Sequence, residues 1–248
     1  MPTRTTARRD QPETISSVLG DAVRPRAKLL GGSVALLWTV NLVDTVVGHG
    51  LDVWGVRPRT LEGLWGILFA PFLHGSWGHL IANTVSLVMI GWLVMLGRTR
   101  DFLYVSALSA LTAGLGTWLV GGSNTVHVGA SGVVFGLLGY LLSRGVFERK
   151  FWSIAGSVLA LVLFGGTLRG LFPGTAGISW EGHLFGFLGG ILSARLMATP
   201  SVEAERGKAP AREKKRVGEA PPRARVAGRA LEAVSDDEIE ELRRRMGR

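Results

Sequence analysis

The chain has 248 residues, 47% of them hydrophobic, and a formal net charge of +9. Its positive mean hydropathy makes a membrane protein the first expectation, and the lack of cysteine excludes a disulfide scaffold and thiolate-ligated metal or iron–sulfur sites. The charge does not argue for nucleic acid, because the arginines flank apolar runs as membrane topology demands.

Residues 1–28 are polar and carry Arg4, Arg8, Arg9, Arg24, Arg26 and Lys28, a basic cytoplasmic arm. The apolar run at 29–47 has no small-residue cleavage site after it, so it reads as a retained transmembrane helix and not a signal peptide. Further spans are expected at 80–96, 102–120, 130–142, 151–168 and 183–197. Lysine and arginine collect in the arm, at Arg98 and Arg100, at Arg144, Arg149 and Lys150, and after Met197. By the positive-inside rule both termini are cytoplasmic, which agrees with six spans and with a multi-pass protein of the plasma membrane. The fourth run has 13 residues. Against the ~20 needed to cross, and at a rise of 1.5 Å each, its outer end is expected ~10 Å short of the surface.

After the last span, residues 199–230 are rich in Pro, Ala, Gly and charge and read as a disordered cytoplasmic linker. Residues 231–248 read as a short amphipathic cytoplasmic helix. Ser235-Asp236-Asp237-Glu238 makes a capping box, followed by Ile239, Leu242 and Met246 at helical spacing. A transient helix in a floppy tail is the first expectation, with a cytoplasmic partner or the anionic inner leaflet as the alternatives.

Three polar clusters fall at the outer ends of three spans: His79 to Asn83, Gly129-Ala130-Ser131-Gly132, and Gly182-His183-Leu184-Phe185-Gly186. Such groups are expensive in lipid and demand a reason. Hydrolysis of a peptide bond inside the bilayer supplies one, with Ser131 as nucleophile and His183 as general base. Serine is a weak nucleophile until a base takes its proton, and an imidazole suits that task. No good triad carboxylate is visible. Glu181 is two residues from His183 and faces elsewhere on a helix, and Asp44 is a weak candidate, so a Ser–His dyad is expected. Phe135, one turn after Ser131, can hold the imidazole by packing. The Ser131 amide, the Asn83 side chain and the His79 imidazole are expected to stabilise the oxyanion. Glycine stripes at Gly132, Gly136 and Gly139 and at Gly182, Gly186, Gly189 and Gly190 would let the two helices approach closely. His127, four residues before Ser131, is expected to be a solvated loop histidine, with a place in the cavity lining as the alternative. No spacing of His, Asp and Glu suggests a metal site, and no cofactor is called for.

Taken together these motifs resemble the rhomboid family of intramembrane serine proteases, over about residues 29–198. The family's Gly-x-Ser-Gly reads Gly129 to Gly132, its His-x-x-x-Asn reads His79 to Asn83, and its Ala-His-x-x-Gly-x-x-x-Gly reads Gly182 to Gly190. The resemblance implies an all-α, six-transmembrane-helix bundle with a short, recessed fourth helix. It also implies a Ser131–His183 dyad, no metal, and cleavage of transmembrane protein substrates near their outer ends. Gly182 stands where the family commonly has alanine, and Phe135 where some members have tyrosine. The first outer loop usually carries a Trp-Arg pair and here reads Trp65-Gly66. His74 matches a histidine often found in that loop, with a structural role. Two other functions compete. A catalytically inactive relative would bind transmembrane segments but would usually lack the serine or the histidine. A transporter or channel would show charged groups along a path or an internal repeat, and neither is present.

Overall fold

A computed structural model describes residues 15–48, 50–174 and 177–199, with side chains from residue 20 onward. These residues lie within one compact unit, Met1–Pro200. The first half of the basic arm, and the expected linker and tail helix beyond residue 199, fall outside the described residues. The described chain is helical, with α1 (Ile15–Val46), α2 (Gly66–Phe69), α3 (Trp77–Met95), α4 (Thr99–Val120), α5 (Ser131–Glu148), α6 (Phe151–Phe164) and α7 (Trp180–Met197). Several 3-10 turns join them. Sheet pairing among the described residues amounts to one antiparallel bridge, Val56 to His127.

Among the described residues, four segments are long and apolar enough to cross a membrane: Gly20–Val46, Trp77–Met95, Thr99–Val120 and Phe151–Leu171. Their outward faces carry exposed Leu42, Val85, Leu103, Trp152, Val158 and Val162. Apolar exposure on this scale suits lipid and not water, and the protein is a multi-pass integral membrane protein. α5 and α7 fall short by composition because they are rich in glycine and carry polar groups. α5 is wrapped by α3, α4, α6 and α7 and buried along most of its length, whereas α7 packs one side on α4 and α5 and leaves Leu188, Leu192 and Leu196 exposed. A helix that faces protein needs less apolar surface than one that faces lipid.

The backbones of α5 and α7 touch through the glycines. A Cβ on Gly186 would collide with the Gly132 carbonyl, and one on Gly190 with the Gly136 carbonyl. On the other side of α5, Leu80, Ile90, Val94 and Val105 pack with Leu137, Leu138 and Tyr140 into the core.

Two boundaries differ from the sequence expectation by well over one helical turn. α1 continues the first apolar run back to Ile15, so the second half of the polar arm is helical. Arg26 there donates to the Met95 carbonyl at 3.0 Å, satisfying the end of α3. The fourth long helix, α5, is 18 residues and not 13, a length of about 27 Å. The extra turn and a half lies at the end away from Ser131, so helix length does not explain a recess there. The apolar run stops at Leu142, but the helix carries on because its charges are paired. Arg144 meets Glu148 at 3.0 Å, and Ser153 donates to the same buried carboxylate. At this end Asp101, fully buried, also accepts from Tyr140 at 2.7 Å and pairs with Arg98 at 3.0 Å.

The connection at 47–76 is tied down without an arginine at position 66. A Cβ at Gly66 would run into the backbone of Gly55, and one at Gly63 into that of Arg57. Arg59 does the bracing. It donates to the Leu119 carbonyl at 3.1 Å, the Gly121 carbonyl at 2.8 Å and the Ser123 hydroxyl at 2.7 Å. The connection is thereby fastened to the end of α4, beside the segment that leads to Ser131.

Candidate active site

Ser131 opens α5, so its amide is among those a helix start leaves unpaired. The approach to it is held by the 47–76 connection. The Gly129 amide donates to the Ala70 carbonyl at 2.8 Å, and the Ala130 amide to His74 Nε2 at 3.4 Å. Gly129 has φ of +121°, a left-handed conformation, and a Cβ there would fall 2.5 Å from His79 Cε1. Only glycine serves at such a position. On α3, the Ser76 hydroxyl caps the helix by accepting the His79 amide at 3.2 Å. That start sets His79 in the first turn and Asn83 one turn on, sharing a face.

His183 lies in the first turn of α7 and is 8% exposed. Its ring stacks on Phe135, with centroids 4.1 Å apart and planes 14° from parallel. Its Nδ1 lies 2.9 Å from the Gly170 carbonyl. A carbonyl can only accept, so Nδ1 carries the proton and Nε2 keeps its lone pair. The orienting group is thus a backbone carbonyl and not a carboxylate. Asp44 accepts the Leu51 amide at 2.8 Å, at the far end of α1.

Ser131, His183, His79, Asn83 and Phe135 line one cavity of about 650 Å³. Gly129 passes close against His79, and Gly132 and Gly186 bring α5 and α7 into backbone contact. Ser131 and His183 share the cavity without a direct hydrogen bond. Such bonds often tighten only when substrate is bound. Asn83 is 5% exposed, and its Nδ2 has no hydrogen-bond partner, leaving a buried donor unused beside Gly129.

His74 packs edge-on to His79, with ring centroids 5.2 Å apart. Burial, and then the nearby His79 charge, lower its pKa to about 4. A neutral ring is what accepting the Ala130 amide requires.

His127 departs from expectation. It is half buried and lines the same cavity. Its Nδ1 lies 2.5 Å from the Ser179 hydroxyl and its Nε2 lies 2.7 Å from the Thr125 hydroxyl. Burial lowers its pKa also. The contacts of His127, Ser179 and Gly170 carry no motif, since a backbone carbonyl or a loop hydroxyl looks alike in any sequence.

The Rhomboid domain family model matches residues 61–200. An uncharacterized protein of Mycobacterium tuberculosis is 43% identical over 194 residues, covering 73% of this chain and 80% of its own length. YdcA of Bacillus subtilis, named as a candidate rhomboid protease, is 34% identical over 152 residues, covering 60% of this chain and 72% of its own. The rhomboid protease GluP of Bacillus subtilis is 29% identical over 161 residues, covering 62% of this chain and 31% of its own. With the matched domain spanning the site and all the helices from α2 to α7, the chain belongs to the rhomboid family.

Proposed function

We propose that this protein is an intramembrane serine endopeptidase that hydrolyses peptide bonds in or near transmembrane segments of membrane proteins. The observation that carries the reading is the setting of His183. Phe135 and the Gly170 carbonyl fix its ring, with the Nε2 lone pair free for a cavity that Ser131 also enters. In this reading His183 Nε2 takes the Ser131 proton as Oγ attacks the scissile carbonyl. The imidazolium then gives that proton to the leaving amine. The oxyanion is held by the Ser131 amide, by Asn83 Nδ2 and by His79. Water in the cavity, activated by the same histidine, hydrolyses the acyl-enzyme. The reaction needs neither metal nor cofactor. Domain membership and relatives named as proteases support the class of reaction.

The six long helices are proposed as six spans, with both termini cytoplasmic, the Ser131 cavity on the extracytoplasmic side, and the plasma membrane as location. Residues 29–198 form the protease core. The arm at 1–28, whose second half continues α1, and the tail at 199–248 lie on the cytoplasmic side. Substrates are transmembrane proteins met in the bilayer. Labelling by a serine-directed fluorophosphonate tests the dyad: parent protein should label, and Ser131→Ala and His183→Ala should not. A relative that only binds transmembrane segments would leave all three unlabelled.

A further inference from the structure

Ser131 and His183 come from different helices, and the glycine faces of α5 and α7 set how closely those helices approach. Smooth faces do less to fix where the segment leading into each helix sits. Among the described residues, one side-chain bond joins those two segments. His127 lies four residues before Ser131, and Ser179 lies four before His183. The two meet at 2.5 Å.

The chemistry of this bond is determined by its neighbours. The Thr125 hydroxyl donates its one proton to the Gly122 carbonyl at 2.6 Å. It must therefore accept from His127 Nε2–H, which leaves His127 Nδ1 to accept from the Ser179 hydroxyl. Ser179 is the N-cap residue of α7, yet its side chain makes no capping bond. A serine there ordinarily accepts an amide from the first turn, so this hydroxyl is diverted to His127. The Ser179 carbonyl meanwhile accepts the His183 amide at 3.1 Å. On the other side, His127 is held by its main chain, whose amide and carbonyl each pair with Val56 at 2.9 Å. The 47–76 connection, His127, Ser179 and His183 thus form one unbroken series of hydrogen bonds.

Given the protease reading above, we infer that the His127–Ser179 pair is a positioning clasp that keeps the Ser131 segment and the His183 helix in reacting register. It sets the spacing of the two helix starts, while the Gly170 carbonyl sets the tautomer of the His183 ring. His127 acts through Ser179 and not on the substrate.

The test is kinetic, on the full chain in proteoliposomes with a labelled transmembrane substrate. His127→Phe keeps a ring and removes the acceptor, and Ser179→Ala removes one oxygen. Each should lower kcat about tenfold with KM within about twofold, as expected when reacting groups shift by a fraction of an ångström. The double variant should be no slower than the slower single, because both break the same bond. Ser179→Thr and His127→Asn, which keep a donor or an acceptor in place, should recover most of the rate. Fluorophosphonate labelling of Ser131 should slow in parallel. If His127→Phe does not fold, Ser179→Ala carries the test. Unchanged kcat, or losses that multiply in the double variant, would overturn the clasp. So would a raised KM at constant kcat, which would make His127 a substrate contact. Parent protein without Ser131-dependent cleavage or labelling would instead refute the protease reading, and the clasp with it.

Discussion

Gly170 makes the proposed role of His183 open to a sharp perturbation. Its φ lies outside the left-handed region, so Gly170→Ala meets no backbone strain and acts only through its new Cβ. That atom would fall 2.9 Å from Phe135 Cζ and 3.1 Å from His183 Nδ1. Relaxed carbon contacts lie at about 3.5–4.0 Å, so the stacked pair must retreat by roughly half an ångström or more. The bond from Nδ1 to the Gly170 carbonyl, now 2.9 Å, lengthens in the same movement. A misplacement of ~1 Å can cost ~100-fold in rate. Half of that predicts a loss of about tenfold in kcat, or ~1.4 kcal/mol of barrier. KM should hold, because Gly170 does not line the cavity. Steady-state cleavage of a fluorogenic transmembrane peptide in proteoliposomes reads both constants. A kcat within twofold of the parent would refute the orienting role of the Gly170 carbonyl. A raised KM with intact kcat would place the residue against substrate instead.

Asn83→Ala should slow turnover without abolishing it. The loss of one oxyanion donor is expected to raise the barrier by roughly 2.7–4 kcal/mol, and an unchanged kcat would remove Asn83 from the site. Acid should destabilise the protein through His74. The folded state holds its pKa at about 4, below the ordinary histidine value of 6.5, so the unfolded chain binds more protons between those values and stability falls as pH drops through that window. The contribution is full above pH ~6.5 and amounts to at most about 3 kcal/mol. Thermal unfolding in detergent across this range should show a shallower slope for His74→Gln, whose amide oxygen can still accept from Ala130. Equal slopes for the two proteins would contradict the assignment.

What the sequence made legible follows from which interactions leave a trace in residue type. Ser131, His183, His79 and Asn83 stand in spaced motifs, and the structure gathers them around one cavity. The glycine stripes announced the close approach of α5 and α7, since only glycine lets two backbones touch. The far end of α5 was hidden because an apolar run ends where the first charge appears, whereas Arg144 and Glu148 neutralise one another and the helix continues. The start of α1 was hidden for a related reason. Its polar turns are held by contacts such as Arg26 to the Met95 carbonyl, which composition does not register. The brace of the 47–76 connection is Arg59, which no motif marks, because its acceptors are the carbonyls at the end of α4. The bonding of His127 leaves no trace in the sequence, since its partner, Ser179, is 52 residues away in the chain.

The central claim is that Ser131, activated by His183, cuts peptide bonds. Purified parent protein, Ser131→Ala and His183→Ala, reconstituted in liposomes with a labelled transmembrane substrate, test it directly. The account predicts cleavage by the parent and none by either variant, with all three proteins unfolding at similar temperatures. Equal cleavage by Ser131→Ala would contradict it.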